Sequence, residues 1–202
     1  IVIGAKMEAT EDTDHGGKDT RTDKQEPESD SPRVLTAVSC GSTKQNIAGL
    51  ERVPARELYS STVHKCKDKY GRHSHGYYIM SARHGLIHNQ EKIGYYDELL
   101  DDNPESSIQH WGCEVTNSLE QAIEEGDYDA VVLIGSKTYV NAVTEYSKFL
   151  PVPVLTPWQT DDYVTGVGRG MAWCNNETNW PVNVDSIDEI AEPATTPEKR
   201  PI

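Results

Sequence analysis

Gly76-Tyr77-Tyr78-Ile79-Met80-Ser81-Ala82-Arg83-His84-Gly85-Leu86 is the stretch whose reading decides the fold. Tyr77 to Met80 is an apolar run with aromatic and β-branched residues, the pattern of a buried strand. It runs into a sharp turn, Ser81 to Gly85, that carries a hydroxyl, a guanidinium, an imidazole and a glycine. Open α/β sheets bind ligands at the carboxyl ends of their strands, so this turn is read as the floor of a site.

The same grammar repeats on either side. Val34 to Val38 is a strand ending in Ser39-Cys40-Gly41-Ser42-Thr43-Lys44. Ala130 to Ile134 is a near-continuous apolar run, as in a buried parallel strand, and ends in Gly135-Ser136-Lys137-Thr138-Tyr139. Val152 to Thr156 is a fourth short strand, and Pro151 and Pro153 place it at an edge. Helices are expected between them. One runs from Pro54 to about Tyr70-Gly71, with Leu58, Val63 and Cys66 facing inward. A long one runs from Pro104 to Glu125, with Ile108, Trp111, Val115, Leu119, Ala122 and Ile123 at three- and four-residue spacing. A third covers Lys137 to Phe149. A short final helix follows the Gly-rich loop Thr165 to Met171 and runs through Trp173. The segment Ile87 to Asp97 reads as an irregular loop. Strand–helix alternation predicts an α/β chain: one Rossmann-like domain over residues 34–182, with a mostly parallel sheet of about four strands.

Residues 8–33 hold almost nothing apolar and predict a disordered acidic tail over 1–33; residues 183–202 read similarly, with a short helix near Ile187 to Ala191. The chain starts at Ile1 and its first methionine is Met7, so residues 1–6 read either as upstream sequence or as a misplaced start. No stretch approaches the ~18 apolar residues of a membrane span and IVIGAK is too short for a signal segment, so a cytoplasmic protein with no membrane partner is expected. The net charge is −14, from 33 acidic and 19 basic residues, with a single Phe. Such a composition serves solubility and also fits a halophilic, salt-accumulating cytoplasm. It repels nucleic acid at low salt unless cations cluster. The cysteines Cys40, Cys66, Cys113 and Cys174 are widely spaced without a C-x-x-C pair, so neither zinc knuckles nor any other metal or cofactor is expected.

Cations are few in the folded part, yet Lys44, Arg83 and Lys137 each fall just past a strand, and Arg169 sits beside Gly168 in the late Gly-rich loop. Each has Ser, Thr or Gly beside it. Charge beside backbone donors that small residues leave accessible makes an anion pocket, with Gly41, Gly85 and Gly135 as the permissive positions. The G-x-x-x-x-G-K-S/T spacing of a P-loop is missing. Acid–base chemistry needs a carboxylate, and Asp97, Glu57 and Glu91 are the candidates, with Asp97 and Glu57 preferred. Either could instead cap a helix or pair with Arg83. Cys40 beside Lys44 could be nucleophilic, or a small residue fitted to a tight turn. His84 could act as acid, base or stacking partner, or simply be surface.

Cys40-Gly41-Ser42-Thr43-Lys44, Pro54-Ala55-Arg56-Glu57-Leu58-Tyr59, Ser81-Ala82-Arg83-His84-Gly85-Leu86 and Tyr96-Asp97 together resemble a family of small archaeal, bacterial and phage domains of unknown function. Its pattern is C-x-x-x-K, P-A-x-x-L-Y, S-A-K-Y-G-L and P-Y-D, with a small-x-x-Y turn like Gly135 to Tyr139. It closes on G-x-G-x-x-x-x-W, like Gly166 to Trp173. The central turn is also similar, more distantly, to the YaaA peroxide-stress family and to an archaeosine-synthase domain, which implies a role near DNA or modified bases. The positions the resemblance carries over are Cys40, Lys44, Tyr59, Ser81, Arg83, Gly85 and Asp97. His84 stands where the pattern has Tyr, and Tyr95 where it has Pro.

Two functions follow as expectations. One is an enzyme acting on a nucleotide or modified base at an N-glycosidic bond. In it Lys44, Arg83, Lys137 and Arg169 hold phosphate, Asp97 or Glu57, with Ser81 nearby, act on the sugar, and Tyr59 and Tyr96 stack or orient. The other is a non-catalytic module that binds DNA or a nucleotide through the same cations. A structural α/β domain with a protein partner is the plainest alternative.

Overall fold

The computed structural model describes residues 31–47, 49, 51–159 and 166–191. Both expected tails therefore lie largely outside the described residues. The elements in chain order are β1 (Val34–Ser39), β2 (Val53–Pro54), α1 (Ala55–Leu58), α2 (Thr62–Gly71), β3 (Gly76–Ser81), β4 (Gly85–His88) and β5 (Lys92–Ile93). They continue with α3 (Glu105–Gly126), β6 (Ala130–Ile134), α4 (Lys137–Thr144), β7 (Val154–Leu155), α5 (Val167–Asn175) and α6 (Ile187–Ala191).

The protein is an α/β fold around a five-stranded sheet of order β4-β3-β1-β6-β7. β1 pairs in parallel with β3 on one side and β6 on the other, which explains why Val34 to Ser39 is buried at every residue. β7 extends the parallel run at one edge, with Pro153 lending only its carbonyl to the ladder. From β1 the chain crosses to β3 through α2. It then returns past β1 to β6 through α3, in the opposite direction. Right-handed crossovers therefore put α2 and α3 on opposite faces. The helices pair accordingly, α2 with α5 and α3 with α4.

Several elements differ from the sequence reading, among them β2 and β5, which pair antiparallel as a separate two-stranded sheet. The edge strand β4 replaces the start of an expected loop. It folds back antiparallel on β3, with Gly85 at φ 68 making the tight turn. The helix expected from Pro54 breaks at Tyr59, whose extended backbone bridges to Lys44; Ser61 then caps α2 by accepting the His64 N–H. The third expected helix stops at Thr144 as α4, and Ser147–Phe149 forms a separate 3-10 turn.

α3 carries its expected apolar stripe, with Trp111, Val115, Leu119, Ala122 and Ile123 buried and Ile108 half-buried. α2 does not. Leu58 on α1 is buried as expected, but the inward face of α2 is His64, Lys67, Tyr70 and Gly71, while Val63 and Cys66 are half-buried. Val184 and Ile190, beyond the expected domain edge at 182, are also buried in the core. Among the described residues no helix is long and apolar enough to cross a membrane.

Candidate functional site

The chain turns one way after β1 and the other way after β6, so the carboxyl ends of these neighbours part. A crevice forms at such a switch point. It holds a cavity of about 680 Å³. Ser39 to Ser42 line one wall and Gly135 to Lys137 the other; Lys67 and Tyr139 lie deeper, and Leu99, Asp101, Trp158 and Gln159 are among the remaining lining residues. The two turns meet at Gly135, where a β-carbon would fall 2.7 Å from that of Ser39 and 2.8 Å from its hydroxyl oxygen, so only glycine fits.

Of the residues the sequence singled out, Cys40, Gly41, Gly135 and Lys137 line this cavity. A second group forms a buried knot. The hydroxyls of Tyr59 and Tyr96 share a hydrogen bond of 2.7 Å, and Tyr96 shares another of 2.8 Å with Ser81. Ser81 Oγ also accepts the His84 N–H, and its carbonyl accepts the Trp111 indole N–H. Lys44 Nζ lies 4.5 Å from the Tyr96 ring centroid, buried and without a hydrogen-bond partner among the described residues. His84 meets the same ring edge-on, and burial, then Arg83, push its pKa down. Burial raises the pKa of both Tyr59 and Tyr96, with Cys40 the next cause. Cys40 itself lines the cavity.

A third group lies on the surface. Arg83 pairs with Glu98 at 2.8 Å with both side chains about half exposed. Glu57 is exposed beside Arg56, and Asp97, Gly168 and Arg169 are exposed as well. None of these five lines the cavity.

The sequence reading passed over Lys67, His64, Tyr139, Asp101 and Gln159. Lys67 is 4 % exposed and donates to the Ser39 carbonyl at 2.5 Å and the Ser39 hydroxyl at 2.8 Å. Burial lowers its pKa to about 8, with Cys40 and Cys174 acting the other way. His64 is buried against Tyr59. Burial, then Lys67, push its pKa down to about 3, with the Ser39 backbone acting in the opposite sense. The Tyr139 hydroxyl accepts the Leu100 N–H and lies 3.2 Å from Cys40 Sγ; burial, then Cys40, raise its pKa, so it remains a protonated donor. Asp101 accepts from the Thr138 hydroxyl. Gln159 donates to the Gly135 carbonyl at 2.9 Å, which leaves its Oε1 buried with no partner among the described residues. The available signal for Lys67 was the spacing of His64, Lys67 and Tyr70 along one helix face.

The fold is that of a doubly wound α/β protein with a cavity at its switch point. The chain matches the model of the Family of unknown function (DUF6884) over residues 35–175, and it belongs to that family. Compared with curated proteins and with solved structures, it matches none.

Proposed function

We propose that the protein is an enzyme acting on a nucleotide or a nucleotide-derived modified base held in the switch-point cavity. The observation that carries this reading is the pairing of two small-residue turns, Cys40-Gly41-Ser42 and Gly135-Ser136-Lys137, across one cavity with Lys137 at its wall. Ser136, the N-cap residue of α4, makes no side-chain cap hydrogen bond, so the first-turn N–H groups of α4 are available to an anion, and the Lys137 charge lies beside them. About 680 Å³ falls within the range of small-ligand sites and suits a mononucleotide. Trp158 supplies an aromatic wall, and Gln159 lines the same cavity. For cleavage of an N-glycosidic bond, the carboxylate in the cavity is Asp101, rather than Asp97 or Glu57. The net charge of −14 weighs against duplex DNA as the ligand at ordinary salt.

The test is a thermal-shift series with nucleotides, nucleosides, free bases and short DNA. A mononucleotide at ~100 times its dissociation constant should add ~2.7 kcal/mol of apparent stability. Lys137→Ala should remove that shift, whereas Arg83→Ala and Asp97→Asn should keep it. Chromatography of the bound fraction then looks for released base, which Asp101→Asn should stop. A series in which no nucleotide, nucleoside or base shifts the transition ends this reading.

A further inference from the structure

Lys67 reaches in from α2 and lines the cavity while only 4 % exposed. Its ammonium donates to the Ser39 carbonyl and to the Ser39 hydroxyl, which uses two of its N–H groups; the remaining one has no partner among the described residues. Among those residues no carboxylate forms an ion pair with it. The one carboxylate among the cavity's lining residues, Asp101, accepts from the Thr138 hydroxyl instead. With a pKa of about 8, Lys67 is nevertheless mostly ammonium at pH 7. A buried charge without a counter-ion is costly. Holding Ser39 does not require that charge, because a neutral amide would donate to the same carbonyl and hydroxyl. The charge calls for an anion, and the cavity is the space beside it that can hold one.

The surroundings suit that anion. Ser39 Oγ accepts from Lys67, which leaves the hydroxyl's own proton to donate. The same oxygen lies 2.8 Å from where a β-carbon on Gly135 would stand, so ammonium, hydroxyl and the turn that leads into α4 are neighbours. The uncapped first turn of α4 and the Lys137 charge follow directly in the chain.

We propose that Lys67 is the buried counter-ion of the ligand, and that the cavity seats a phosphate group between Lys67, the Ser39 hydroxyl and the first turn of α4. The inference rests on the nucleotide reading for the rest of the ligand and narrows it to a nucleoside monophosphate, rather than a nucleoside or a free base. A phosphate dianion has enough acceptor oxygens to take an ammonium, a hydroxyl and backbone N–H groups together. Once bound, it holds Lys67 in its charged form, so binding takes up a proton wherever the empty site is partly neutral.

The experiment is isothermal titration calorimetry of the full chain at pH 8.5, in buffers of different ionisation enthalpy. The probes are inorganic phosphate, a nucleoside 5′-monophosphate and the matching nucleoside. The titratable groups around the ammonium are His64 on α2, Cys40 past β1 and Cys174 on α5, with Asp101, Lys137 and Tyr139 across the cavity. Burial keeps His64 neutral and holds Cys174 and Tyr139 protonated at this pH. A Cys40→Ser background removes the remaining thiol. Each phosphate bound should then take up about three-quarters of a proton, the neutral fraction of Lys67 at pH 8.5. Inorganic phosphate should compete with the monophosphate, and the nucleoside should bind about tenfold more weakly or worse. Lys67→Met should weaken both phosphate probes by about tenfold or more and abolish the proton uptake. Should that variant fold poorly by circular dichroism, the proton count on the unaltered Lys67 still decides. Binding of the phosphate probes without proton uptake, or with equal affinity in folded Lys67→Met, overturns the proposal. Inorganic phosphate that binds with uptake while no nucleotide binds better keeps the seat and ends the nucleotide reading. A nucleotide that binds without uptake does the reverse, and silence from every probe ends both.

Discussion

Lys67 should set a measurable slope in stability against pH. Its folded pKa of about 8 lies below its ordinary 10.5 because burial disfavours the ammonium. Between those two values the unfolded chain binds the proton and the folded chain does not, so this residue makes stability rise with pH. The penalty is fully present below about pH 8 and amounts to about 3 kcal/mol. By pH 9.5 about 2 kcal/mol of it should be recovered. Lys67→Met removes the penalty but also strips the donor from the buried Ser39 carbonyl and hydroxyl, at a cost of about 1–3 kcal/mol. At pH 7 the two effects nearly cancel, so the level is a poor measure and the slope a good one. Urea unfolding followed by tryptophan fluorescence at pH 7 and pH 9.5 gives four free energies. The wild type should gain about 2 kcal/mol more than the variant across that interval. Cys40 and Cys174 act on the same ammonium, and a Cys40→Ser background checks that the slope belongs to Lys67. An interval gain equal in the two proteins to within ~0.5 kcal/mol would refute the assignment of a strained, buried ammonium.

His64 titrates in the opposite limb. Its folded pKa of about 3 against an ordinary 6.5 means that only the unfolded chain gains this proton as pH falls below 6.5, so stability is lost in that direction. His64→Leu should flatten the stability profile between pH 6.5 and pH 5, measured by the same urea titration, while leaving the carboxylate-driven loss at lower pH. At Gly112 a β-carbon would fall 2.2 Å from the Ala142 carbonyl oxygen, where α3 crosses α4. Gly112→Ala should therefore destabilise by about 1–3 kcal/mol, although alanine is the better helix former by about 1 kcal/mol. A variant as stable as the wild type would show that the two helices can part at no cost.

The sequence by itself determined the parallel strands of the sheet and most of the order of elements. Apolar runs at Val34, Tyr77 and Ala130 can bury both faces only as inner strands, and the stripe on α3 has one solution. It also located two walls of the cavity, because small residues after a strand are visible as a run of letters. Tertiary structure alone decided which cations share a site. Lys44, Arg83, Lys137 and Arg169 follow the same local rule, but Lys44 is drawn under Tyr96, Arg83 pairs outward with Glu98, and Arg169 stays exposed. Asp97 and Glu57 remained at the surface, while Asp101 came to the cavity wall. Lys67 was hidden for the converse reason. A lysine on a helix reads as solvent-facing, and only the Ser39 carbonyl, brought within 2.5 Å by the packing of α2 on β1, makes its burial tolerable. Local pattern fixes which backbone segments pair; the partner of a long polar side chain is a property of the folded whole.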